Sequence, residues 1–482
     1  MLFPTLTFAI FFALVYPLYW FLRERGVGWK PFLLAASYLF YGFWDWRFVF
    51  LIILSTLVNQ ELALRIGRAR ERHQRGLLGG AIGFNLALLG VFKYYGFFIE
   101  SLNTALRTVG LEARLPLLAL IVPVGISFFT FQAITYVVDI YRGTLTRASL
   151  LDFALYLACF PHLVAGPIVR AAEFLPQLKS PAALTRRQAS AAAFLIAGGL
   201  FKKVVIASNL STAIVDPVFA LPRQHTAPDI LLAIYAYAVQ IYADFSGYTD
   251  MAIGIALLLG FTFPQNFDRP YAATSLQDFW RRWHMTLSRW LRDYLYIPLG
   301  GSRHGRWATY RTLLLTMTLG GLWHGASLTF VGWGLFHGFG LAIERWFGER
   351  GTTGGRALLL WQADSARWLR WLLTFHLVCI GWVLFRSPTF TVAATLLWRA
   401  VTAWGPAGPL ATVNLALVIG GMLLLQHLPT GFGRHLEGAF AELPPLAQGA
   451  VMGVAIAVIF ALGPEGIAPF IYYQFRAGGG GG

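Results

Sequence analysis

The stretch LTMTLGGLWHGASLTFVGWGLFHG, residues 315–338, is almost wholly apolar yet carries two histidines, His324 and His337. An imidazole in such surroundings must hydrogen-bond something or line a water-filled cavity, because a bare polar group in hydrocarbon is costly. Arg311 marks the polar end of the segment. On a helix rising from it at about 1.5 Å per residue, His324 lies roughly 20 Å in, near the middle of a bilayer. Gly320, Gly321 and Gly325 remove side-chain bulk around it, which allows close helix packing or the approach of a substrate. An imidazole titrates near neutral pH in water, and desolvation favours its neutral, basic form, so the position suits general acid–base chemistry. For acyl transfer it would take the proton of an attacking hydroxyl, while a second polar group orients the acceptor or steadies the oxyanion. His337 falls about 220° further round if the helix is continuous, so the pair lacks the i, i+4 spacing of a helical metal site. The other histidines are dispersed, and no metal is expected. No G-x-S-x-G elbow signals a serine nucleophile. On spacing alone, a proton-coupled transporter stands beside an acyltransferase.

Three further groups of polar residues need placing. VGISFFTFQAITYVVDIYRG (124–143) sets Ser127, Thr130, Gln132 and Thr135 in a membrane-like span; such side chains often bond their own or a neighbouring helix backbone. YADFSGYTDMAIG (242–254) brings Asp244 and Asp250 into a short window between apolar runs, either in ion pairs or lining a site. Residues 265–311 interleave eight arginines and three aspartates with four tryptophans and four tyrosines. Their middle, 276–297, has helical periodicity and reads as an amphipathic interfacial helix with aromatic rings at headgroup depth. On that reading alone His284 is an interfacial polar residue.

These residues need elements to hold them, and composition decides the solvent. Of 482 residues 57% are hydrophobic and 12% charged, with mean hydropathy +0.60, whereas soluble domains carry about 25% charged residues. Apolar runs recur at 3–21, 77–98, 190–200, 313–322, 411–426 and 449–462, several near the ~20 residues needed to cross a bilayer. The expected fold is an all-α polytopic membrane protein with about 11–13 transmembrane helices plus re-entrant or interfacial ones. It forms one integral membrane domain over 1–476, with a motif core at 120–345, further transmembrane helices in 366–473, and a Gly-rich tail at 477–482. The first run lacks a basic leader and a small-residue cleavage site, so it reads as a retained helix. Basic loops after it, at 65–75, 142–147, 170–187 and 269–311, place those loops on the cytoplasmic side. The formal charge of +16 is scattered between spans, which fits topology and anionic lipid rather than nucleic acid. Cys159 and Cys379 show no pairing or zinc spacing, and no internal repeat suggests an inverted-repeat transporter.

Six blocks carry a resemblance: SYLFYGFWDWRF (37–48), VPVGISFFTFQAITYVVDIYRG (122–143), FPHLVAGPIVRAAEFLPQL (160–178), YADFSGYTDMAIGIALLLGFTFPQNFDRPY (242–271), FWRRWHMTLSRWLRDYLYIPLGGSRHGR (279–306) and LGGLWHGASLTFVGWGLFHG (319–338). They resemble the membrane-bound O-acyltransferase family, and within it the alginate and exopolysaccharide O-acetyltransferase membrane subunits of bacteria. The resemblance implies a ring of tilted helices around a central tunnel. It makes His324, in LWHG, the catalytic histidine and His284, in WHMTLS, the second active-site position. Trp323, Gly325, Asp244, Asp250, Arg282 and Gln132 are the candidates to line the tunnel or the substrate.

The implied activity moves an acetyl group from a cytoplasmic donor, acetyl-CoA, across the bacterial inner membrane to an exported polysaccharide. A periplasmic partner of the serine-esterase type would relay it, and no cofactor would be bound tightly. His324 would be the general base and His284 would orient donor or acceptor. The basic-aromatic segment 276–297 could present positive charge to the CoA phosphates, although lipid anchoring explains the same residues. D-alanyl transfer to teichoic acid and peptidoglycan O-acetylation use similar blocks, and a non-catalytic transporter or export conduit is the alternative from another class.

Overall fold

The computed structural model describes residues 1–111, 115–118, 120–180, 182–350, 364–429 and 431–464. The Gly-rich tail at 477–482, and the end of the C-terminal helical region from 465 on, lie outside the described residues. Those described residues form helices joined by turns and loops, with no strand among them. By length and composition seven helical segments are able to cross a membrane: Leu6–Glu24, Arg47–Arg68, Glu71–Thr108, Arg186–Ala220, Ala227–Leu258, Arg367–Arg386 and Pro445–Leu462. Three shorter apolar helices, Ile126–Tyr141, Phe390–Thr402 and Val413–Leu425, add to them. This is an all-α, multi-pass membrane architecture.

The helices fall into two compact units. One comprises residues 1–196 with 248–264. Its centre is Ile126–Tyr141, buried on nearly every side although it carries Ser127, Thr130, Gln132, Thr135 and Asp139. Phe8, Phe11, Phe40 and Phe160 pack ring against ring nearby in the same unit. Some polar side chains inside it pair across helices: Asn85 Nδ2 donates to Asn59 Oδ1 at 2.6 Å, and Lys93 Nζ to Ser127 Oγ at 3.0 Å. Such bonds join helices that lipid alone does not drive together.

The other unit comprises residues 197–247 and 265–482 and holds the histidines of interest. The apolar stretch around them is not one helix. A first helix, Gly305–His324, ends at His324, and a second, Leu328–Arg350, turns back along it. Gly325 is fully extended at the break, and Ser327 Oγ accepts from the Thr329 amide at 3.3 Å to start the return helix. The glycines make the hairpin close. A Cβ on Gly321 would lie 2.2 Å from the Phe330 carbonyl oxygen, and one on Gly334 would lie 2.4 Å from that of Met317. The expected 220° offset between His324 and His337 therefore does not apply, because they stand on opposite arms of the hairpin.

The amphipathic segment is also broken. In place of a single helix over 276–297 there are two short ones, Leu276–Arg282 and Met285–Leu291, followed by a π-helical turn, Arg292–Tyr296. Ser275 caps the first helix, and Glu344, on the return arm of the hairpin, accepts from the amides of Leu276 and Gln277 at 2.5 and 3.0 Å. The interruption falls at Trp283 and His284.

Candidate functional site

His284 adopts a left-handed backbone, φ 42° and ψ 53°, which costs a residue with a Cβ on the order of 1 kcal/mol or more. Asn266 holds it there. The Asn266 side-chain oxygen accepts from His284 Nδ1 at 3.1 Å, from the Thr286 amide at 3.2 Å and from Thr286 Oγ1 at 2.9 Å. Its backbone oxygen accepts from the Met285 amide at 3.0 Å. An oxygen that receives the Thr286 donors is an acceptor toward the ring too, so Nδ1 carries the hydrogen and Nε2 presents a lone pair. His284 is wholly buried, and Nε2 has no hydrogen-bond partner among the described residues. This overturns the reading of His284 as an interfacial residue: the left-handed turn aims its ring inward.

Aromatic rings connect this imidazole to the second one. Phe245 meets His284 edge to face at 4.7 Å between centroids, and Trp323 lies 6.1 Å from it. Trp323 is also 5.0 Å from the ring of His324. Trp333 and Phe385 flank His324 at 5.1 and 5.2 Å, and Gly325 leaves space there that the Phe330 ring fills. His284, Trp323, His324 and Gly325 thus belong to one buried cluster.

Two of the remaining candidates are held in ion pairs. Asp244 forms a buried ion pair with Lys203, on a π-helical segment, Phe201–Ala207. Arg282 pairs with Asp278 on its own short helix at 2.8 Å. Gln132 and Asp250 belong to the unit formed by 1–196 and 248–264; Gln132 is buried, and neither of its amide atoms has a partner among the described residues.

A cavity of about 1350 Å³ opens in the unit that holds the histidines. Trp280, Ser288, Leu291, Thr316 and Met317 line one part, and Arg292, Arg345 and Arg370 contribute guanidinium groups. Thr316 and Met317 precede Trp323 and His324 by two helical turns, so each pair shares a face of the helix. Asn266, Trp333, Phe385 and Trp280 were not singled out from sequence. Asn266, Trp280 and Trp333 sit within quoted motif blocks, but Phe385 comes from Arg367–Arg386, a helix with no motif of its own.

The membrane-bound O-acyltransferase family profile matches residues 139–385, a span that runs from the end of Ile126–Tyr141 to Phe385. A probable alginate O-acetylase of Pseudomonas putida is 39% identical over 473 residues, covering 92% of this chain and 94% of that protein. A peptidoglycan O-acetyltransferase of Helicobacter pylori is 37% identical, covering 76% and 73%. A teichoic acid D-alanyltransferase of Bacillus subtilis is 29% identical, covering 55% and 69%.

Proposed function

The chain belongs to the membrane-bound O-acyltransferase family, and from that premise we propose that it moves an acetyl group from a cytoplasmic thioester, acetyl-CoA, to an exported polysaccharide of the alginate type. The observation that carries the reading is the pair of buried imidazoles, His284 and His324, with Trp323 in contact with both. His324 takes the proton of the acceptor hydroxyl as the oxygen attacks the thioester carbonyl. The imidazolium so formed returns that proton to the departing thiolate, so the histidine ends the cycle neutral. His284, fixed with its hydrogen on Nδ1, accepts a hydrogen bond at Nε2 and so orients an O–H or N–H group rather than a carbonyl. We assign it the acceptor hydroxyl. Arg292, Arg345 and Arg370 share the cavity wall with Glu344 and Glu349, and Arg292 and Arg345 are paired with Asp293 and Glu349, so the phosphates of the donor would share those guanidinium groups with the carboxylates.

The wide coverage by O-acetyl-transferring relatives, against the narrower match to a D-alanyltransferase, supports acetyl over D-alanyl transfer. The acceptor on the far side is either the polymer or a periplasmic relay protein of the serine-esterase type, and the membrane is the bacterial inner membrane. The test is reconstitution. Purified protein in liposomes, given acetyl-labelled CoA, should release free thiol and pass label to an O-linked acceptor on the opposite side. If thiol release stays at the background of empty liposomes, with polymer and partner protein both supplied, the donor assignment is wrong.

A further inference from the structure

Basic loops orient the chain, and one crossing, Ala227–Leu258, separates the basic segment 269–311 from the turn at 221–226. That turn therefore faces the outer side, where the positive-inside rule makes arginines scarce. It nevertheless carries Arg223, and an open groove of about 700 Å³ sets Arg223 beside Trp398 and Arg399. The groove runs along the helix Phe390–Thr402. One face of that helix, with Ala393, Leu396 and Ala400, is buried. The opposite face, with Thr391, Thr395 and Trp398 at i, i+4 and i+7, lines the groove. Trp398 is 69% exposed, so a ligand can reach its ring.

The walls are fixed before anything binds. Arg399 Nη2 donates to the His225 carbonyl at 2.9 Å, and the Ala227 amide donates to the Ala403 carbonyl at 2.8 Å, which ties the turn to the end of the helix. Asp229 is buried and accepts from the amides of Thr226 and Gly408 at 3.2 and 2.8 Å. Among the described residues no carboxylate lines the groove, and neither Arg223 nor Arg399 has a carboxylate partner. At the other end, Phe390 packs on Gly332, where a Cβ would come within 2.7 Å of its ring. The next residue, Trp333, has its ring 5.1 Å from that of His324. From Phe390 to Arg399 the helix rises about 14 Å, so the groove leads from the rings around His324 to the outer turn.

Guanidinium groups around an exposed indole suit a sugar that carries a carboxylate: the carboxylate meets the guanidinium fork and the sugar ring lies on the indole face. Resting on the polysaccharide reading above, we propose that this groove holds the acceptor polymer itself, a chain of uronate sugars, with Arg223 and Arg399 on its carboxylates and Trp398 beneath a sugar ring.

The experiment titrates the full-length protein, in nanodiscs of zwitterionic lipid, with short oligouronates and with the same oligomers reduced at their carboxylates. Wild type should bind the oligouronates, more weakly as salt rises, and should bind the reduced oligomers at least about fivefold more weakly. Arg223→Gln should weaken oligouronate binding about three- to tenfold, less than a buried charged hydrogen bond would because the guanidinium is exposed. Trp398→Leu should weaken it about two- to tenfold. Both should keep the thermal midpoint, and Trp307→Leu, at a tryptophan 86% exposed outside the groove, should bind as wild type does. Unchanged binding in both groove variants overturns the inference, and so does equal binding of the reduced oligomers. Displacement of oligouronate by a lower concentration of short-chain phosphatidylglycerol also overturns it, since the groove would then be a lipid headgroup site. Thiol release from acetyl-CoA, measured on the same preparation, separates the two claims. Acetyl transfer without oligouronate binding overturns this inference alone, whereas binding without transfer overturns the reading above and leaves the uronate site standing.

Discussion

Asn266→Ala tests whether His284 works by being held in place. The substitution removes an oxygen that accepts three buried hydrogen bonds, from His284 Nδ1, the Thr286 amide and Thr286 Oγ1. Each is worth roughly 0.5–1.5 kcal/mol net, so about 2–4 kcal/mol of support for the left-handed turn is lost. The ring is then free to leave its inward orientation and to exchange tautomers. If that loss is felt in the reactive arrangement, the rate falls by about 30-fold to several hundredfold, at 1.4 kcal/mol per factor of ten. Thr286→Val removes only one of the three donors and should cost tenfold at most. The assay is acetyl transfer per mole of folded protein, with the thermal midpoint measured alongside. A rate within threefold of wild type would refute the reasoning. So would a loss that appears only as a lower midpoint, since Asn266 would then stabilise the loop without serving the imidazole.

Other outcomes follow from the packing. Gly321→Ala and Gly334→Ala each drive a methyl to within 2.4 Å of a carbonyl oxygen, so both should sharply lower membrane abundance, while Gly449→Ala, which meets nothing within 4 Å, should not. Lys203→Met leaves Asp244 facing no lysine in a buried setting and should destabilise by about 3–5 kcal/mol, and adding Asp244→Leu should recover much of that; thermal unfolding in detergent reads both. Phe385→Ala removes a ring 5.2 Å from His324 and should lower transfer at least tenfold, whereas Phe385→Leu, which keeps most of the volume, should retain the greater part.

How far the sequence reveals this arrangement depends on the range of the forces involved. The membrane class follows from long apolar runs, and the two candidate histidines stand out through motif blocks that are local in the chain. The hairpin was hidden because WHGASLTF is apolar enough to continue a helix; only the Gly325 extension and the Ser327 cap, confirmed by the glycine seam against Phe330 and Met317, show the reversal. The break at His284 was hidden for a different reason. Periodicity over 276–297 favours one helix, and what opposes it is Asn266, eighteen residues away in sequence, whose bonds exist only once the loop has closed. Asp244 resolved toward an ion pair because its partner, Lys203, is forty-one positions distant. Phe385 had no local signature at all: its place beside His324 is purely tertiary.

The central claim is that His324 acts as a base in acyl transfer and is not a polar lining of a conduit. The most direct measurement is the O-acetyl content of exported polysaccharide in cells carrying wild type, His324→Ala, His324→Gln or His284→Asn at matched membrane abundance. Asparagine tolerates the left-handed backbone that position 284 requires, so its loss of function reports the ring alone. The account predicts that all three variants fold and that acetylation drops by about 10²–10⁴-fold for both His324 substitutions. Substantial acetylation in His324→Gln, which keeps polarity and approximate size without basicity, would contradict it.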